Sequence, residues 1–285
     1  MAHPIVGEIQ LTVRDIERTA GFYQHILGLQ LLNRTGSSAS FTADEKSVML
    51  TLAESKNAKP RAPGTAGLYH MAFLLPNRPY LADVLKHFIQ IRLPLQGASD
   101  HHVSEAIYLA DPEGNGIEIY ADRPKEEWRW KNDQVFMTTT ALDAENLMQE
   151  ASAAGWQGMP AAAVMGHIHL QVADLASSEH FYCNGLGFDK MLHYGSQALF
   201  ISKHRYHHHI GLNTWNSIDA PPPEENSTGL KRYSILFPSK EEREKAARQL
   251  EKINASIFVK NDIIMTKDPS GIRIYLEVEH KGEHA

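Results

Sequence analysis

The sequence predicts an α+β chain built from four βαβββ modules, and three observations carry that reading. A stretch near the start recurs at a constant offset of 159 residues. Gly7, Leu11, Val13, Asp15, Phe22, Tyr23 and Leu27-Gly28 align without gaps on Gly166, Leu170, Val172, Asp174, Phe181, Tyr182 and Leu186-Gly187. A weaker second pair sets Gly67–Pro76 against Gly229–Pro238, and each is followed by Asp-Pro-x-Gly, at Asp111–Gly114 and Asp268–Gly271. Within each repeat, residues that alternate apolar and polar give way to helical spacing. Repetition of this kind marks a recurring structural unit.

Each element has a local reason. Ile9-Gln10-Leu11-Thr12-Val13 and Ile168-His169-Leu170-Gln171-Val172 alternate as half-buried strands do. Asp15 and Asp174 follow as helix N-caps, where a carboxylate accepts free backbone N–H groups. Phe22, Tyr23 and Ile26 continue an amphipathic helix, and Gly28 and Gly187 suit its exit. Short strands bounded by turns such as Asp111–Gly116 complete the module. The modules run over residues 5–55, 65–122, 165–216 and 229–280, which gives a first half at 5–122, a connector at 123–164 and a second half at 165–280. The connector holds Trp128, Trp130, a helix expected from Ala141 to Ala154, and the small residues Pro160–Ala163. Pro221-Pro222-Pro223 with Glu224 and Glu225 marks the loop between the last two modules.

Composition narrows the function classes. The chain has 285 residues, is 42% hydrophobic and 22% charged, and carries a formal charge of −6. A mildly acidic chain without a dense Lys/Arg run is a poor partner for nucleic acid or an anionic membrane. Cys183 is the sole cysteine, so no intramolecular disulfide can form, which favours a reducing compartment. No stretch has the length of a membrane span, and the start lacks the basic and apolar regions of a signal peptide. A cytoplasmic protein is the expectation. The 16 histidines stand out, with clusters at His101-His102 and His207-His208-His209. Histidine is the commonest metal ligand and a proton shuttle near neutral pH.

The motifs His167-x-x-Leu170-x-Val172-x-Asp174 with Phe181-Tyr182 and Leu186-Gly187, and Asp111-Pro112-x-Gly114-Asn115-x-Ile117-Glu118, resemble the vicinal oxygen chelate superfamily. That superfamily holds glyoxalase I, bleomycin-resistance proteins and extradiol ring-cleaving dioxygenases. Asp100–Leu109, Tyr206–Trp215 and Tyr120–Pro124 narrow the resemblance to bacterial catechol 2,3-dioxygenases. The resemblance implies two barrels, each made from a pair of modules. It also implies an oxidoreductase that inserts O₂ into a catechol-type ring beside the diol and gives a semialdehyde. A catecholic substrate and O₂ would be the partners, and self-association into a homo-oligomer stays open. Two other outcomes are compatible with the fold: a glyoxalase-like isomerase or thiol transferase, and a non-catalytic small-molecule binder.

The family's dioxygenases hold Fe(II) with two histidines and a carboxylate, drawn from the first and last strands of facing modules, and Mn(II) accepts the same set. Carried onto this chain, the first-strand positions are Glu8, His70, His167 and Arg232, and Glu118 occupies a last strand; the fourth module offers only Arg273 or Tyr275 there. The usual layout puts the metal in modules three and four, and this sequence departs from it. The set that survives is His70, Glu118 and His167. It requires modules two and three to face each other, within one chain or by exchange between two copies. If modules one and two pair instead, the candidates become Glu8, His70 and Glu118, or His167 with the 207–209 cluster. A carboxylate between Ile117 and Ile119 is costly unless paired or metal-bound. His169 competes with His167, on the same strand face at spacing two.

The resemblance also assigns three catalytic residues. His208, with His209 next, is the acid–base group expected on the last strand of module three. Tyr108 would hydrogen-bond a catecholate oxygen. His101 would orient Tyr108 or the substrate, with Asp100 fixing its tautomer.

Overall fold

The computed structural model describes residues 5–279. Module one is strand β1 (Val6–Val13), helix α1 (Ile16–Gly21), β2 (Gln30–Arg34), β3 (Ser38–Thr42) and β4 (Leu50–Glu54). Module two is β5 (Gly67–Leu75), α2 (Arg78–Gln90), β6 (Gly97–Asp100), β7 (Ser104–Ala110) and β8 (Gly116–Asp122). The connector supplies β9 (Trp130–Lys131), β10 (Gln134–Val135), β11 (Thr140–Ala141) and α3 (Ala144–Met148). Module three is β12 (Val164–Gln171), α4 (Leu175–Glu179), β13 (Asp189–Tyr194), β14 (Ala198–Ser202) and β15 (Ile210–Asn213). Module four is β16 (Gly229–Phe237), α5 (Lys240–Lys252), β17 (Ile257–Lys260), β18 (Ile263–Lys267) and β19 (Arg273–Val278).

Two large sheets form, each across both halves of the sequence. One runs β17-β18-β19-β16-β1-β4-β3-β2 and joins modules one and four. The other runs β11-β6-β7-β8-β5-β12-β15-β14-β13 and joins modules two and three, all within a single chain. In every module the first strand lies parallel to the last, and the two modules of a sheet meet through antiparallel first strands, β1 with β16 and β5 with β12. That rule sets the four strands β8-β5-β12-β15 side by side at the centre of the second sheet. Ile9, Leu11, Val13, Ile168, Leu170 and Val172 are fully buried and help form one apolar core lined by all four modules.

The repeated motifs turn out to be joints. Asp15 and Asp174 cap their helices by accepting from the N–H of Arg18 and Ser177. Both helices then widen into a π turn, at Phe22–Ile26 and His180–Gly185, instead of continuing as the regular α-helix that apolar spacing suggests. The widening comes where the tyrosine is fixed from outside. Tyr23 donates to Asp111 at 2.9 Å and Tyr182 donates to Asp268 at 3.0 Å, so the helix of one sheet is bolted to the Asp-Pro turn of the other. Gly28 and Gly187 leave at φ +70 and +72, the left-handed region that glycine adopts without penalty.

The connector helix is shorter than its sequence suggests. It covers Ala144–Met148, capped by Asp143, and not Ala141 to Ala154. Thr140 and Ala141 are taken into a strand beside β6. At the other end the N–H and hydroxyl of Ser152 donate to Asp83 on α2, which holds the chain out of helical register.

Candidate metal centre and its cavity

His70 on β5, Glu118 on β8 and His167 on β12 converge. One donor atom from each lies within 4.8 Å of the others, and all three residues are buried. β5 pairs parallel with β8 and antiparallel with β12, so three neighbouring strands each deliver one side chain to the same face. The β5/β12 seam has register shifts between Met165 and His167 and again between His169 and Leu170. His167 joins the triad, whereas His169 lines the adjoining cavity and turns its Nε2 to Asn213.

The protonation pattern suits a cation. Burial alone would raise the Glu118 carboxyl, but the imidazoles of His167 and His70 outweigh it and hold the group well below the usual carboxylate range. Burial pulls His167 down to about 4, against the pull of Glu118. A buried carboxylate facing a neutral imidazole leaves negative charge uncompensated, which is costly unless a cation joins it. The geometry agrees. His70 Nε2 stands 2.9 Å from Glu118 Oε2 but lacks hydrogen-bond geometry and has no other partner. His167 Nε2–H donates to the same oxygen at 3.2 Å. Two imidazole nitrogens and one carboxylate oxygen form the donor set of the two-His-one-carboxylate face, which binds divalent iron or manganese and leaves positions open.

His70 and Glu118 of the triad border a cavity of about 580 Å³, within the range of pockets that hold small ligands. Tyr108, His101 and His208 line it together with His70 and Glu118. Tyr108 on β7 lies directly across from Glu118. Burial, then the Glu118 charge, raises its phenol well above the ordinary range, so it stays protonated. His101 Nδ1–H donates to the Thr138 carbonyl at 2.8 Å, which leaves Nε2 to accept from the Tyr108 hydroxyl at 2.6 Å. The tautomer of His101 is thus set by Thr138 and not by Asp100. The Asp100 carboxylate instead takes Arg123 at 2.7 Å and the His102 N–H at 2.8 Å.

The histidines 207–209 precede strand β15 instead of lying on it, which frees their rings from strict alternation. His208 lines the cavity with its ring 4.1 Å from that of His167, whereas His209 turns away to Ser202 at 2.8 Å. Burial, then the neighbouring His167 and His207, keeps His208 well below its usual pKa, and so neutral. A relay fixes its tautomer. His207 Nε2–H donates to Asp122 at 2.9 Å, so His207 Nδ1 accepts from His208 Nδ1–H at 2.8 Å. His208 Nε2 then keeps its lone pair. The sequence offers His207 only within the 207–209 cluster as an alternative ligand group, and gives Asp122 no role. The signal was present in the spacing, since Asp122 follows Glu118 by four residues on one strand and so shares its side of the sheet.

Comparison with known proteins places this chain in a family. Residues 5–119 match the family model of the glyoxalase/bleomycin resistance protein/dioxygenase superfamily. The chain is 43% identical over 268 residues to a catechol-2,3-dioxygenase of Bacillus subtilis, covering 93% of each. This protein belongs to the glyoxalase/bleomycin resistance protein/dioxygenase superfamily. A second superfamily member, biphenyl-2,3-diol 1,2-dioxygenase 3 of Rhodococcus globerulus, is 25% identical over 162 residues, or 53% of this chain and 82% of its own. Among solved superfamily folds, a Bacillus subtilis structure aligns with TM-score 0.70 at 14% identity, over 98% of this chain and 86% of that one. Maize glyoxalase I aligns with TM-score 0.59 at 12% identity, over 95% of this chain and 91% of that one. These last two speak for the fold alone.

Proposed function

We propose that this chain is an extradiol ring-cleaving dioxygenase that inserts O₂ into a catecholic ring beside the diol and releases a semialdehyde. The observation that carries the reading is a buried His70–Glu118–His167 donor set at the wall of a cavity that also presents His208 and Tyr108. Dioxygenases of catecholic substrates among its relatives support the same reaction. His70, Glu118 and His167 would hold Fe(II), which would supply a Lewis acid for the diol and a path for electrons to O₂.

The chain's own groups do the rest. His208 Nε2, with its lone pair kept by the Asp122–His207 relay, takes a proton from the bound diol. With that proton held at Nε2, His208 would also be the acid available for the later protonation. A positioned base of this kind contributes about 10²–10⁴ in rate. Tyr108, anchored by His101, sets its hydroxyl beside the diol oxygens. We read the halves 5–122 and 165–280 as two copies of one unit, with the site lying across them. No described helix is long and apolar enough to cross a membrane, and the cytoplasm is the compartment we assign.

The test is anaerobic loading with Fe(II), then addition of a catechol and O₂, watching for the yellow ring-cleavage product. Absence of product from fully loaded protein across several catechols would overturn the assignment.

A further inference from the structure

One polar group in the cavity wall, the His169 imidazole, belongs to neither the donor set nor the acid–base relay. His169 is 4% exposed, lines the cavity, and sits with its ring centroid 4.9 Å from that of His70. Its tautomer can be read from its neighbours. The backbone N–H of Trp215 donates to Asn213 Oδ1 at 3.3 Å, so the Asn213 amide nitrogen is the end that faces His169. That nitrogen lies 3.0 Å from His169 Nε2 and donates to it. The proton of the ring therefore sits on Nδ1, which has no hydrogen-bond partner among the described residues. The ring has been given room. A Cβ on Gly211 would stand 2.9 Å from His169 Cγ and 3.1 Å from Nδ1, closer than packing allows. Aromatic rings surround it: Tyr69 at 5.0 Å, Phe200 at 5.6 Å and Trp215 at 5.6 Å between centroids.

We propose that His169 is a specificity residue whose Nδ1–H selects catechols carrying an uncharged hydrogen-bond acceptor, such as an ether or carbonyl oxygen, on the ring substituent. The inference rests on the dioxygenase reading for the reaction, but its binding claim stands separately. A donor that opens onto the cavity without a protein partner must be met by solvent or substrate, so a substrate that satisfies it is favoured over an isostere that cannot. The acceptor is uncharged because no lysine or arginine lines the cavity to balance an anionic substituent. Aromatic walls suit a flat, apolar remainder.

The experiment compares methoxycatechols with ethylcatechols of the same substitution pattern, and with catechol itself. It reads both anaerobic binding to the metal-loaded protein and kcat/KM. The wild type should favour methoxy over ethyl about tenfold. His169→Leu should remove that preference, read as the methoxy-to-ethyl ratio in both binding and kcat/KM. His169→Asn, which keeps an N–H donor, should restore part of it. Equal affinity of the wild type for methoxy and ethyl analogues would overturn the proposal. So would a His169→Leu variant that weakens all three ligands alike. Failure of the dioxygenase reading would look different: no ring opening of plain catechol, with the binding preference still present.

Discussion

The two sheets place different chemistry at equivalent positions. In the sheet of modules two and three, the positions held by His167, His70, Glu118 and His169 form a donor set and a cavity wall. In the sheet of modules one and four, the repeat places Glu8, Arg232, Tyr275 and Gln10 at the same points. There Arg232 reaches Glu8 at 2.6 Å and Gln10 at 2.9 Å, and its guanidinium lies 4.3 Å over the Tyr275 ring. Both crevices between facing first strands collect a carboxylate, and both need a positive charge. One sheet supplies that charge covalently, through arginine. The other has no arginine at these points, and burial pulls its His167 towards the neutral form, which leaves room for an ion. A fold that repeats itself therefore does not repeat its site, because three side chains decide whether the crevice is filled or open.

The largest break in that comparison should come at Glu118. Glu118→Gln removes the sole carboxylate from the donor set and, with it, the charge that attracts a divalent ion. Iron per chain after anaerobic loading should drop by more than about tenfold, and ring cleavage by more than about a hundredfold. Full iron content in a folded Glu118→Gln protein would contradict the ligand assignment. His208→Gln should cut deep without touching the ion. Turnover should fall by about 10²–10⁴ while iron content holds. Loss of iron instead would make His208 a ligand.

The tyrosine–aspartate bolts offer a finer contrast, because they occur once in each half and carry no cofactor. Burial raises Asp268 from its usual value near 3.8 to about 6, against the bonds it accepts from Ile272, Tyr182 and Ser270. Burial raises Asp111 as well. Between these pKa values the folded chain holds a proton at Asp268 that the unfolded chain has lost. Stability through this group is thus greatest below about pH 4 and declines as pH rises towards 6, by on the order of 3 kcal/mol in all. Asp268→Asn should flatten that part of the stability curve, measured by urea unfolding at several pH values. An unchanged slope would mean Asp268 is not the group that titrates.

Much of the architecture was legible because it is periodic. The constant offset of 159 residues exposed the modules, and the caps at Asp15 and Asp174 followed from residue type. What stayed hidden depends on contacts distant in sequence. Each module presents the same kind of first strand, so nothing local pairs β5 with β12 and β1 with β16; only the His70–Glu118–His167 ligand set called for modules two and three to face each other, as they do. The π turns follow from tyrosines held about 86 residues away, at Asp111 and Asp268. The helix expected from Ala141 to Ala154 stops early because Ser152 is claimed by Asp83 on another helix. At the site, residue types and family motifs pointed to His70, Glu118 and His167. The relay through Asp122 and His207, and the exchange of Asp100 for Thr138 behind His101, needed side-chain directions that the sequence does not carry.

The arginine side of the comparison gives the smallest effect and the cleanest control. Arg232 and Glu8 are each only partly exposed, with 16% and 17% of their side chains accessible. Removing the guanidinium by Arg232→Met strands the Glu8 carboxylate in a crevice where Gln10 cannot neutralise it. Solvent still reaches the pair, so the loss should be about 1–2 kcal/mol, well short of a fully buried pair. Turnover and iron content should stay within about twofold, because no residue of this crevice lines the cavity of the other sheet. Glu8→Gln combined with Arg232→Met removes both charges and should recover most of the lost stability in urea unfolding. A double variant as unstable as the single one would show that arginine acts here through its stacking on Tyr275 more than through its charge. Recovery would show the opposite: that this crevice, like its partner, is organised around compensating a carboxylate.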